Sequence, residues 1–289
     1  MKSISIKAYA KINLGLDVLR KRSDGYHDVC MIMQSLTLHD DLTIRTSNRK
    51  DISIKSNLVY LPNDKRNLVY KAAALFMEEN SINSGLEINL YKRIPVSAGL
   101  AGGSSDAAAT LKALNRLFKC GMTDARLMEL GVKIGADVPY CIMLGTALSE
   151  GIGERLTALP SIPDCYILLV KPDISVSTKL VYECLKLDDS TIHPDIEAMK
   201  KALIAADLEA LSAKMANLLE TVTIPMHPVI DDIKTDMKKA GAMTSLMSGS
   251  GPTVFGIFND KTAADKAYAF FKNNYPHAKQ VFLTKPYNP

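Results

Sequence analysis

Pro95-Val96-Ser97-Ala98-Gly99-Leu100-Ala101-Gly102-Gly103-Ser104-Ser105 separates a segment with the period of a strand from one with the composition of a helix. Upstream, Leu86, Ile88 and Leu90 alternate with Glu87, Asn89 and Tyr91, as on a half-buried strand; downstream, Ala107 to Phe118 carries strong helix formers at helical spacing. The loop therefore empties into a helix N-terminus, where Ser104 or Ser105 can cap. The first N–H groups there lack intrahelical partners, and the helix dipole favours an anion. Gly99, Gly102 and Gly103 are expected to supply positive φ and close backbone approach, so the stretch reads as a phosphate cradle. It is not a Walker A loop, because no lysine follows Gly103, and it is not a dinucleotide fingerprint, because its glycines run G-x-x-G-G. The competing reading is a capped loop with no ligand.

Toward the N-terminus, Ile4, Ile6, Ala8, Ala10, Ile12, Leu14, Leu16 and Val18 alternate with more polar residues, which predicts a strand with a bend near Tyr9. Lys11 and Asn13 share its other face, as site residues or as the solvated side of an edge strand. Asp24-Gly25 predicts a hairpin turn that presents Tyr26 and His27, either to a ligand or as cover for the core. Val29 to Leu38 follows as a second apolar run, and Leu42 to Leu61 as short strands. Asn67 caps a helix reaching about Asn80, Thr123 caps another ending near Gly135, and Val138 to Leu144 reads as strand. Asp137 then sits where helix gives way to strand, either held at a cleft or used as a cap. Pro160 and Pro163 bracket a short loop, and the chain is divided there into domains of residues 1–161 and 162–289.

The second part reads as strand Tyr166–Val170, helices over Thr178–Leu187, Pro194–Ala206, Leu208–Leu219 and Pro228–Ala240, and strands Met243–Met247 and Thr253–Phe258. Helix Ala263–Asn273 and strand Gln280–Leu283 complete it. With the first helices collapsed, this is the βαββαβ order of a ferredoxin-like domain. Ser248, Gly249, Ser250 and Gly251 join two of its strands, as a plain hairpin or as a second nest able to close over phosphate.

A chain of 289 residues with 47% apolar content can fill two ordinary cores, and a net charge of +4 without a basic tail suits a small anionic ligand better than nucleic acid. The five cysteines, Cys30, Cys120, Cys141, Cys165 and Cys184, form no C-x-x-C pair, and the histidines form no H-E-x-x-H. Buried reduced thiols and a cytoplasmic location are expected. Lys7 and Lys11 interrupt any leader-like apolar run, and no stretch of about eighteen apolar residues suggests a membrane span.

Three of these motifs, in this order, resemble those of the GHMP kinases: Ala10-Lys-Ile-Asn-Leu14, the loop from Pro95 to Ser105, and Ser248-Gly-Ser-Gly-Pro-Thr253. Asp24-Gly-Tyr-His27, Gly99-Leu-Ala-Gly-Gly-Ser-Ser-Asp106 and Gly135-Ala-Asp-Val-Pro139 make the chain most similar to the branch that acts on a cytidyl-erythritol. Ser97 and Ala101 stand where that branch often has glycine. The resemblance implies an α+β fold of two domains. The first is like the second domain of ribosomal protein S5, with a left-handed βαβ crossover, and the second is ferredoxin-like.

It also implies transfer of the ATP γ-phosphoryl group to the substrate's 2-hydroxyl in non-mevalonate isoprenoid synthesis, with Mg²⁺ as the ion. On the family pattern Asp137 and Lys11 are catalytic and Pro95 to Ser105 holds the ATP phosphates, with Ser104 or Ser105 near Mg²⁺. Asn67 and Lys92 serve the adenine. Asn13, Tyr26, His27 and Asp137 contact the substrate, and Ser248 to Gly251 forms the second loop. No nucleic acid or membrane partner is implied, and oligomeric state is left open. Three rivals stand beside this reading: another small-alcohol kinase of the homoserine or mevalonate type, a non-catalytic ligand sensor on the same fold, and an RNA-binding module.

Overall fold

A computed structural model describes residues 2–289. In chain order its elements are β1 (Ser3–Lys21), β2 (His27–Ser47), β3 (Ile52–Ser56), α1 (Leu68–Glu79), β4 (Gly85–Tyr91), α2 (Gly102–Phe118), α3 (Asp124–Val132), α4 (Val138–Met143), β5 (Thr146–Gly151) and β6 (Arg155–Ala158). There follow β7 (Tyr166–Pro172), α5 (Thr178–Cys184), α6 (Ile196–Ile204), α7 (Leu208–Lys214), α8 (Glu220–Met226), α9 (Val229–Lys239), β8 (Thr244–Met247), β9 (Val254–Phe258), α10 (Lys261–Asn274) and β10 (Ala278–Thr284). Contacts group them into two units. One comprises Met1–Ala10, Leu38–Val96 and Ala101–Met143; the other comprises Lys11–Thr37, Ser97–Leu100 and Leu144–Pro289.

In the first unit β3 and β4 run parallel, with Ile54 opposite Ile88, and α1 connects them as the βαβ crossover. The later part of β2 lies antiparallel to β4, from Asp41 opposite Tyr91 to Ser47 opposite Gly85. Helix α1 starts where expected, because Asn67 accepts a bond from the Val69 amide, and it buries Val69, Ala72, Ala73 and Phe76. That stripe packs on α2, which buries Ala107, Leu111, Leu114 and further small residues. Burial of such aliphatic and aromatic side chains is the main source of stability here.

In the second unit the early part of β2 pairs antiparallel with β5, and β5 with β6. A separate four-stranded antiparallel sheet has the order β10-β7-β9-β8. Numbered within this part the order is 4-1-3-2, as the ferredoxin-like reading requires. Helix α9 buries Ile230, Ile233 and Met237 against the sheet, with Asp231 and Asp232 in its first turn and Lys238 and Lys239 in its last, signs that complement its dipole.

Three expectations are corrected. Val138 to Met143 is helix α4, not strand; a short apolar run buried all round has no face to reveal its period, and Pro139 is tolerated in a first turn. The strand comes afterwards, as β5, with β6 returning across Gly151 and Gly153. Helix α2 begins at Gly102 rather than Ala107. Helix α8, with Pro225 inside it, was not expected at all.

Candidate active site

Residues 97–100 and the second glycine loop meet inside the second unit. Gly99 has φ +75°, and a Cβ there would lie 2.1 Å from the Ser248 carbonyl oxygen, so only glycine fits. The Ser248 hydroxyl donates to the Gly99 carbonyl at 2.9 Å, and the Lys11 amide donates to the Leu100 carbonyl at 3.2 Å. Asn217, which no motif had marked, donates its carboxamide N–H groups to the carbonyls of Met247 (2.8 Å) and Gly249 (2.7 Å) and so fixes the second loop. The Ser248–Gly251 stretch is therefore a β8–β9 connection and also a wall against the first loop.

Lys11 belongs to the same cluster. It is 5% exposed and Asn13 is 1% exposed, which rules out a solvated edge. The Lys11 ammonium donates to Asn13 Oδ1 at 2.7 Å, and the Asn13 amide faces Met31 Sδ at 3.3 Å. A buried ammonium anchored in this way favours negative charge in its neighbourhood.

The start of α2 lies in the first unit. Ala101, not a serine, takes the N-cap position, in the left-handed region at φ +53°, with no side-chain cap. The positive φ values fall at Ser97, Gly99 and Ala101, while Gly102 and Gly103 are helical. The first intrahelical bond runs from the Ser105 amide to the Ala101 carbonyl at 2.8 Å, so the amides of Gly102, Gly103 and Ser104 precede it. Ser105 is buried and donates its hydroxyl to the Tyr9 carbonyl at 2.6 Å; of the two serines, Ser104 is the more open.

Asp137, half-buried, stands between α3 and α4 and not before a strand; its carbonyl accepts the Cys141 amide. Asn67 and Lys92 are both engaged within the protein. The Asn67 carboxamide caps α1 and donates to Pro62, and the Lys92 ammonium binds the carboxylates of Asp40 and Asp106. Burial opposes the Lys92 charge, but Asp106 and Asp40 outweigh it and hold the ammonium above its ordinary range.

On the β1–β2 hairpin Asp24 accepts the Tyr26 amide, and Arg22 bridges Asp24 and Asp28. Tyr26 is 59% exposed, so it does not cover the core. His27 is buried with its ring 5.1 Å from that of Tyr182, a second aromatic that sequence reading passed over because it looked like part of the α5 stripe. Burial, helped by the Lys21 charge, lowers the His27 pKa and favours a neutral ring that donates at one nitrogen and accepts at the other.

The GHMP kinase N-terminal domain model matches residues 67–145, and the GHMP kinase C-terminal model matches residues 199–277. The chain belongs to the GHMP kinase family. This GHMP kinase is 56% identical to the 4-diphosphocytidyl-2-C-methyl-D-erythritol kinase of Lachnoclostridium phytofermentans, over 99% of its own length and 98% of that protein's. It is 50% identical to the enzyme of the same name from Lachnospira eligens over the whole of both chains. Among solved structures it matches 4-(cytidine 5′-diphospho)-2C-methyl-D-erythritol kinase with a TM-score of 0.83, 30% identity and coverage of 99% and 100% of the two chains. It shares its fold with homoserine kinase from Cytophaga hutchinsonii, at a TM-score of 0.82 and 22% identity.

Proposed function

We propose that this GHMP kinase transfers the γ-phosphoryl group of ATP to the 2-hydroxyl of 4-diphosphocytidyl-2-C-methyl-D-erythritol, a step of non-mevalonate isoprenoid precursor synthesis. The observation that carries the reading is near-full-length identity of 50–56% to kinases of that name. The exposed Tyr26 beside the His27–Tyr182 pair supports it, since a nucleobase needs aromatic faces to stack on and a polar edge to pair with.

In this reading the domain of residues 1–161 carries ATP binding and chemistry, and that of residues 162–289 lies on the substrate side. The backbone cradle of Pro95 to Ser105, through free amides such as those of Gly102, Gly103 and Ser104, holds the ATP phosphates, and Ser248 to Gly251 backs it. Asn67 and Lys92 stand at the adenine end on the family pattern alone. Asp137 accepts or orients the proton of the attacking hydroxyl. Lys11, steered by Asn13, stabilises negative charge on the transferred group, so positioning and charge supply most of the acceleration. Tyr26 stacks on the cytosine, His27 bonds its edge, and Asn13 helps place the erythritol chain.

Mg²⁺ fits the residues present only as a lightly held ion. No group of three or more His, Cys, Asp or Glu side chains among the described residues could hold a metal, and the Ser105 hydroxyl is already bonded. Ser104 would be its protein ligand and the nucleotide phosphates the rest, as suits Mg²⁺, which would offset phosphate charge when bound.

The test is ADP release with the cytidyl-erythritol substrate compared with homoserine and mevalonate. Turnover should be confined to the first. Lys11→Met and Asp137→Asn should each lower kcat by about 10²-fold or more while ATP affinity stays within a few-fold. Turnover of homoserine or mevalonate in preference, or near wild-type rates in both folded variants, would defeat the reading.

A further inference from the structure

Next to the phosphate loop, inside the first unit, lies a buried ion cluster in which Asp40 and Asp106 have no part in the proposed reaction and Lys92 has one on the family pattern alone. Lys92 donates to Asp40 and, at 2.7 Å, to Asp106; the three side chains are 3%, 0% and 4% exposed. Lys92 sits shortly before Pro95, and Asp106 directly after Ser105, so the pair brackets the loop in sequence. Asp40, on β2, adds a third point. Its Oδ1 accepts the amides of Arg93 and of Ile94, the latter at 2.8 Å, the last two before the loop begins.

Removing three charges from water is costly, and such clusters seldom add net stability; what they define well is position. Two details suit that use. A Cβ on Gly102 would come within 3.1 Å of Lys92 Nζ, so the first helical residue rests on the ammonium. Asp106 Oδ1 has no hydrogen-bond partner, so the direction of this carboxylate depends on its other oxygen, the one facing Lys92.

We propose that Asp40, Lys92 and Asp106 are positioning residues that set the distance between the two ends of the phosphate loop. They thereby aim the amides of Gly102 to Ser104 at the nucleotide's phosphates. The role rests on the phosphate-loop reading above, and it acts through the backbone rather than on the adenine.

Binding of ATP, inorganic tripolyphosphate and CDP to the full chain, well below its melting temperature, tests the assignment. The variants are Asp40→Asn and the triple change Asp40→Asn, Lys92→Met and Asp106→Asn, which leaves no charge in the cluster if the single change fails to fold. In a folded variant the affinities for ATP and tripolyphosphate should fall together by at least about tenfold, KM for ATP should rise more than kcat falls, and CDP should bind as before. ATP and tripolyphosphate affinities within twofold of wild type would overturn the proposal. So would a loss confined to ATP, which would mark Lys92 as an adenine contact. Wild-type protein that bound neither ATP nor tripolyphosphate would instead defeat the loop reading itself.

Discussion

Asp106 shows how far one residue's chemistry departs from its sequence environment. Burial, reinforced by the Asp40 charge and opposed by Lys92, pushes its carboxyl well above the usual range. The folded chain thus binds this proton more tightly than the unfolded chain does. The stability so linked is complete below the ordinary carboxylate value of about 3.9 and is lost as pH rises through the raised one. Asp106→Asn has nothing to titrate and escapes that loss. The stability of the variant relative to wild type should climb with pH across that window and then level off. Urea unfolding at a series of pH values measures it, and a pH-independent difference would contradict the assignment. In the sequence Asp106 was only the end of a motif, because nothing local shows that a strand-end lysine and a distant aspartate will bury it.

At the scale of the element, the entry to α2 is the instructive case. Side-chain capping by Ser104 or Ser105 was a sound expectation from residue type, yet the helix starts earlier and Ala101 enters it in the left-handed region. A residue with a Cβ pays roughly 1–2 kcal/mol for that conformation, whereas glycine gives back part of the gain through its freer unfolded state. Ala101→Gly should therefore stabilise the protein by about 0.5–1 kcal/mol, raising its melting temperature by on the order of 2 °C. Calorimetry reads this directly, and a destabilised Ala101→Gly would show that the Cβ makes contacts worth more than the strain. Ser97, whose φ is also positive, carries the same strain. Helices α1 and α3 were legible to the residue at their starts because Asn67 and Thr123 cap through their own side chains, a wholly local interaction.

For the whole molecule, the thiols report what tertiary packing encloses. Sequence reading took all five as buried, but Cys184 is exposed at the end of α5, Cys30 and Cys120 are half-buried, and only Cys141 and Cys165 are enclosed. Burial, with the Asp164 charge adding to it, pushes the Cys165 thiol up to about 12. The thiolate is the reactive form, so a disulfide reagent at pH 8 should modify Cys184 within the folded protein and reach Cys165 only on unfolding. Mass spectrometry of timed samples would reveal the order, and equal rates for the two in folded protein would count against this packing. The backbone at Tyr287 is tied to the interior: Gln34, fully buried, donates to the Tyr287 carbonyl, and the Tyr287 amide donates to the Ser35 carbonyl. No helix among the described residues is long and apolar enough to cross a membrane.

What the chain by itself determined were its periodic elements, two of its caps, the βαββαβ order of its C-terminal part and the glycine-serine loops, since period, capping and turn chemistry act between residues near in sequence. Tertiary structure alone decided which groups lost their water and what they met. Lys11 became a buried cation on Asn13, Gly99 came against Ser248, Asn217 took hold of the second loop, and Asp40 joined Lys92 to Asp106. The burial of Lys11 and the three contacts named after it depend on segments far apart in the chain coming together, and on the low-dielectric surroundings so created, neither of which is written in any local pattern.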